Sequence, residues 1–143
     1  MAIVQTLADQ FRIDVLNGIH VLPTDTLKMA LYSIANGASL NNTSATYTTT
    51  GEISAAGYTA GGQALSGVQV LGQPGLSYVT WTSPSWSIPN GTLIDGALLY
   101  NASKGNKTIL TLNFGITRSP SNGVFTITFP IYDQPNNAIL RLG

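Results

Sequence analysis

Cysteine is missing from this chain, and that one absence removes disulfides, thiolate zinc sites and cysteine nucleophiles together. The fold therefore does not depend on an oxidising compartment. Charge is nearly as scarce. Six basic and six acidic side chains in 143 residues amount to 8% and cancel to a formal net charge of zero, whereas an ordinary domain carries about 25% charged residues. With no Lys/Arg cluster there is no focused positive field to hold phosphates, so no nucleic-acid partner is expected. Long apolar runs are also missing. None approaches the roughly 18 residues of a membrane helix. The N-terminal MAIVQTLADQF has no basic segment leading into an apolar one, so neither a membrane association nor a signal peptide is expected. An outer-membrane barrel would need such an export signal.

What is present is 43% hydrophobic residues and a polar complement dominated by Thr, Ser, Asn and Gly. Soluble surfaces usually carry about 25–35% charged residues. An uncharged polar surface invites close contact, because covering it desolvates few ions. The composition suggests a chain that lives inside an assembly; the plainer alternative is a monomer with an uncharged polar surface. The length fits one domain over residues 1–143, and at that size about 68–70% of the unfolded surface can be buried without staples.

The patterning is mostly that of strands. A short helix is predicted over residues 5–17, with Thr6 as its N-cap and Leu7, Phe11 and Val15 forming one apolar stripe. Asn17-Gly18 supplies its stop. Leu27–Tyr32 alternates. Residues 33–46 read as a polar loop, and 47–62 as an ordered, irregular excursion with a short turn of helix. Further strands are predicted at Leu65–Val70 with a bulge at Gly67, at Ser77–Thr82, at Ser85–Ile88 between Pro84 and Pro89, and at Thr92–Tyr100. Thr108–Phe114 completes a hairpin with the preceding strand. Val124–Phe129 alternates with Phe125, Ile127 and Phe129 inward, and Ala138–Leu142 closes the chain. About eight short strands with polar turns predict a mainly β fold, a two-sheet sandwich or jelly-roll-like barrel. Soluble β proteins guard their edges with Lys, Pro or inward charge. Here the lysines are Lys28, Lys104 and Lys107, two of them at one hairpin tip, so either loops such as 47–62 or another subunit must cover the edges.

Little in the chain points to catalysis, and no catalytic residue is assigned. His20 is the only histidine, and Asp25 lies close enough in sequence to form an acid/base pair with it. There is no G-x-S-x-G elbow, and a lone histidine beside a turn is more often a structural hydrogen-bonding residue. The acids Asp9, Asp14, Asp25, Glu52, Asp95 and Asp133 are scattered, without the spacing of a calcium loop or a glycosidase pair. No metal or cofactor site is expected. Gly57–Gly62 is glycine-rich but matches neither phosphate-binding pattern. The N-x-[ST] matches beginning at Asn41, Asn42, Asn90, Asn101 and Asn106 are coincidences of a Ser/Thr/Asn-rich chain. Trp81 reads as core. Trp86, in a short edge segment, reads as an interface residue, and Tyr47, Tyr58 and Phe11 join it as interface candidates.

Several phrases together carry a resemblance. They are Asp14–His20 (DVLNGIH), Thr24–Tyr32 (TDTLKMALY), Tyr47–Ile53 (YTTTGEI) with Gly57–Gly62 (GYTAGG), Thr80-Trp81, Gly96–Asn101, Leu112–Gly115, Phe125–Pro130 and Asn137–Leu142. Across nearly the whole chain they resemble a group of small virion structural proteins of tailed bacteriophages, and the YTTTGE…GYTAGG stretch is the most specific part. The resemblance implies a non-enzymatic role in the phage particle after synthesis in the host cytoplasm. It also implies contacts with the major capsid protein or other virion subunits, and a homo-oligomer, with a trimer suiting three-fold lattice points. Capsid decoration or cement is the leading expectation. A neck or tail subunit is the first alternative, and a carbohydrate-binding module stacking sugars on Trp86 and Tyr58 is the second. An enzyme using His20 as its base is the last.

Overall fold

A computed structural model describes residues 2–129 and 140–142 of the chain. In chain order the elements are β1 (Thr6–Leu7), α1 (Asp9–Leu16), β2 (Leu27–Tyr32), β3 (Gln63–Ala64), β4 (Gln69–Gln73) and β5 (Leu76–Thr80). They continue with β6 (Ser85–Ser87), β7 (Ile94–Asn101), β8 (Lys107–Arg118), β9 (Val124–Thr126) and β10 (Leu140–Leu142), and 3₁₀ turns lie at Ile34–Asn36 and Ala102–Lys104. The fold is mainly β, a sandwich-like arrangement of antiparallel sheets with one short helix near the N-terminus. A five-stranded sheet runs β1-β8-β7-β2-β3, a three-stranded sheet runs β10-β5-β4, and β6 pairs with β9.

The central pair is β2 and β7, in register from Leu27↔Asn101 to Tyr32↔Gly96. Because side chains alternate across a strand, Leu27, Met29 and Leu31 enter the main core. There they join Phe11 of α1, Val79 of β5, Trp86 of β6, Phe125 of β9 and Leu140 of β10. Ala30 and Tyr32 point the other way and pack with Leu98 and Tyr100 of β7 and with Ala38 and Leu40 from the following loop. Burial on both faces explains why IDGALLYN does not alternate, since every residue of β7 is buried. The polar stretch after β2 therefore covers the second face of the central sheet.

Several sequence expectations shift. The helix begins at Asp9, and its N-cap is Ala8, with no side-chain cap. Thr6 instead pairs with Thr111 as part of β1, which keeps the chain extended until Ala8. The apolar stripe survives, with Phe11 buried and Leu7 and Val15 packed beside it. Residues 47–62 contain turns but no helix. Of the predicted strand at Leu65–Val70 only Gln69 and Val70 are strand: β3 ends at Ala64 and β4 starts at Gln69, with Gly67 (φ +66°) in the connection. The irregular register lies in β7 instead, between Ile94 and Gly96 and again between Leu99 and Tyr100. β9 stops at Thr126, although Phe125 and Ile127 are buried and Phe129 is half-buried, as the alternation predicts. In the last strand Leu140 is buried and Leu142 exposed, while Ala138 and Ile139 lie outside the described residues.

The edges of the sheets differ. The five-stranded sheet ends in β1 and β3, strands of two residues each, and such short edges offer little to a passing strand. β4 is five residues long, mostly exposed, and bonded only to β5 among the described strands.

Candidate functional site

Glu52 gathers the Tyr47–Gly62 stretch into one clasp. Its Oε1 accepts from the Tyr47 hydroxyl at 2.6 Å, and its Oε2 accepts from the Tyr58 hydroxyl at 2.6 Å and the Gly61 N–H at 2.8 Å. The Tyr58 oxygen in turn accepts from the Leu31 N–H of β2 at 3.0 Å. Tyr100 of β7 donates to the Gly61 carbonyl at 2.6 Å, and its ring stacks on Tyr47 with centroids 4.8 Å apart. Tyr32 donates to the Thr48 carbonyl at 2.6 Å. Burial, then the hydrogen bond to Glu52, pushes the Tyr47 and Tyr58 hydroxyls well above their ordinary range, so both remain donors. Gly62 completes the crossing with φ +81°, where a Cβ would run into the Met29 carbonyl of β2. The Tyr47–Gly62 stretch is thus a lock between an irregular loop and the central sheet.

A second polar cluster surrounds His20. The Asn101 Oδ1 accepts from the Ser103 N–H at 3.0 Å, which can only donate. That leaves the Asn101 amide nitrogen to face His20 Nδ1 at 3.0 Å and Asp25 Oδ2 at 2.7 Å. Nδ1 is therefore the acceptor, and the neutral ring carries its proton on Nε2. Nε2 faces Asp14 Oδ2 at 3.9 Å, an electrostatic contact too long for a hydrogen bond. Phe11 packs against the ring at 5.0 Å between centroids. Lys107 lies 3.4 Å from Asp14 and Lys104 lies 3.7 Å from Asp25, so two cations balance two carboxylates around an uncharged imidazole.

Burial pulls the His20 pKa below its ordinary value; Asp14 and Asp25 oppose that shift, and Lys107 and Lys104 add to it. The Gln10 hydrogen bond is the main cause holding the Asp14 carboxyl low, assisted by Lys107 against the cost of burial. Burial pushes Asp25 up, but its bonds from Asn101 and the Val21 N–H, with the Lys104 charge, outweigh it and leave it low. Through Asn101, His20 ties the segment after α1 to β7.

Beside this cluster runs an apolar groove of about 350 Å³. Register places Val70, Val79 and Leu140 in one row across the β4-β5-β10 sheet, and they face Phe11, Val15 and Leu22 across the groove. Val21, Val70 and Leu142 line it while remaining exposed. A groove of this size and lining suits an apolar side chain or a small apolar molecule.

The interface candidates read from sequence do not assemble into one surface. Phe11 is only 3% exposed and forms part of the groove floor, while Trp86 is 6% exposed and packs near Phe125. Tyr47 and Tyr58 are half-buried, with their hydroxyls engaged by Glu52. Of the two tryptophans, Trp86 is the fully buried one, against its reading as an interface residue, while Trp81 is half-buried, packed against the main core as expected and edge-on to Phe129 at 5.1 Å. The alternation S-W-S-I carried that information, since β6 pairing with β9 turns Trp86 and Ile88 inward and both serines outward. Neither Trp86 nor Tyr58 is a free platform for a sugar ring. The exposed apolar residues that sequence reasoning passed over include Leu16 at 89% and Ile116 at 62% exposure. Among the described residues, no group of three or more His, Cys, Asp or Glu could hold a metal ion, and no helix is long and apolar enough to cross a membrane. Comparisons with protein-family models, curated proteins and solved structures gave no match.

Proposed function

We propose that this chain is a structural subunit of a tailed-bacteriophage particle, a decoration or cement protein that stabilises the head shell. The observation that carries this reading is the apolar groove with its exposed rim of Val21, Val70 and Leu142, set in a chain with only 8% charged residues. A partner covering that region gains the free energy of apolar burial, about 25 cal/mol per Å², and desolvates few ions. Standard specific interfaces bury about 1,200–2,000 Å² in total. The resemblance to small phage virion proteins supports the same reading. Its most specific stretch works as a folding lock, which suits a protein whose role is to present a rigid surface.

The major capsid protein is the partner this reading names, with further copies of the chain at lattice points. The test is imaging of the purified particle at subunit resolution, combined with heating of particles before and after the protein is stripped. Density over the shell and a lower disruption temperature in stripped particles are expected. Density confined to the neck or tail, with shell stability unchanged, overturns the cement role.

A further inference from the structure

β4 reads Gln69-Val70-Leu71-Gly72-Gln73, and its outer edge, unpaired among the described residues, has neither the lysine nor the proline that usually guards such a strand. Gly72 is the telling residue. Glycine inside a strand weakens it and usually marks a bulge, a positive φ, or close approach by another backbone or ligand. The β4–β5 register runs unbroken from Gln69↔Thr80 to Gln73↔Leu76, so there is no bulge. Its φ lies outside the left-handed region, and a Cβ there would meet nothing nearer than 3.7 Å. Nothing described within the chain requires a glycine at this position.

We propose that β4 pairs with β4 of a second copy of this chain, antiparallel about a two-fold axis at Leu71. In that register Gln69 opposes Gln73 of the other copy, Val70 opposes Gly72, and Leu71 opposes itself. Each contact is complementary: amide meets amide, a branched apolar side chain covers the position without one, and no like charges meet. Val70 and Gly72 lie on the groove-facing side of the sheet, as Val79 and Ser77 opposite them do. The exposed Val70 of each copy is thus covered over the other copy's Gly72, and the two grooves flank one continuous sheet. The contact goes beyond the virion reading and does not depend on it. It is isologous, and so differs from the head-to-tail contact that would close a three-fold ring.

The chain's lack of cysteine makes the register directly readable. Directly opposed residues of an antiparallel pair have Cα atoms about 4.5–5.5 Å apart, within the usual disulfide range. Positions 69 of the two copies, by contrast, lie about 13 Å apart at strand rise. In a glutathione redox buffer, Leu71→Cys is expected to form disulfide-linked dimer. Gln69→Cys and Gln73→Cys are each expected to stay monomeric alone and to cross-link when mixed. Adding Gly72→Val to Leu71→Cys is expected to lower the cross-linked fraction without lowering the melting temperature. The mixed Gln69→Cys and Gln73→Cys experiment keeps the test valid if Leu71→Cys folds poorly. Two results overturn the proposal: a mixture that cross-links no faster than either cysteine variant alone, or a well-folded Leu71→Cys that remains monomeric.

Discussion

The side-chain nitrogen of Asn101 sits 3.0 Å from Nδ1 of His20, and this one contact sets how the buried cluster responds to acid. Charging the ring at Nδ1 would set a new N–H against the amide hydrogens that now bond to it. Asn101 cannot rotate to accept it, because its Oδ1 is held by the Ser103 N–H and its nitrogen also serves Asp25. Folding therefore favours the neutral ring, in agreement with the lowered pKa.

Acid lability follows, with its sign set by linkage. A histidine with a folded pKa below its unfolded value of 6.5 stabilises the fold fully above that value. The contribution is lost as pH falls from 6.5 through the folded pKa. Asp14 and Asp25, both also lowered, add a second loss below their ordinary value of 3.8. Urea denaturation between pH 7.5 and 5 should show stability declining, and His20→Gln, which retains an acceptor for Asn101, should flatten that decline. A ring resonance of the single histidine that titrates at or above 6.5 would contradict the scheme.

Replacing Glu52 with Gln tests the clasp. Its two carboxylate oxygens accept two phenols and a backbone N–H, whereas an amide presents only one accepting oxygen. At least one partner loses its acceptor, and the cost should be about 1–3 kcal/mol. Faster hydrogen exchange of the Gly61 amide in Glu52→Gln would localise that loss to the loop.

Trp86→Ala should act on stability. The ring is buried against Phe125 between β6 and β9, so truncation should cost about 3–5 kcal/mol. Thermal and urea unfolding measure it. The exposed neighbour Ser87, replaced by Ala, should leave stability within about 0.5 kcal/mol.

Two glycines should respond with opposite signs. Gly62→Ala places a methyl group against the Met29 carbonyl at a φ of +81°, so it should destabilise by more than about 1 kcal/mol. Gly72→Ala makes only ordinary contacts, none nearer than 3.7 Å, at a φ outside the left-handed region, and should stabilise the monomer by about 0.4–1 kcal/mol. Melting curves at low protein concentration, where β4 is unpaired, read both.

Local pattern determined a good deal of this protein. Alternation in LKMALY sets β2 and its two faces, Asn17-Gly18 ends the helix, and the run of short strands sets a mainly β fold. These features depend on neighbours in sequence, where side-chain period and turn chemistry act directly. Partners distant in sequence decided the rest. Thr6 becomes strand rather than helix cap because β8 lies beside it. The S-W-S-I alternation puts Trp86 and Ile88 on one face, and pairing with β9 helps make that face the inward one. Glu52 and His20 acquire their roles from Leu31, Tyr100 and Asn101, residues that no spacing rule connects to them. The scarcity of charge was legible from composition alone. Where that uncharged surface lies open, along β4 and around the groove, was decided by which strands and side chains the packed core left uncovered.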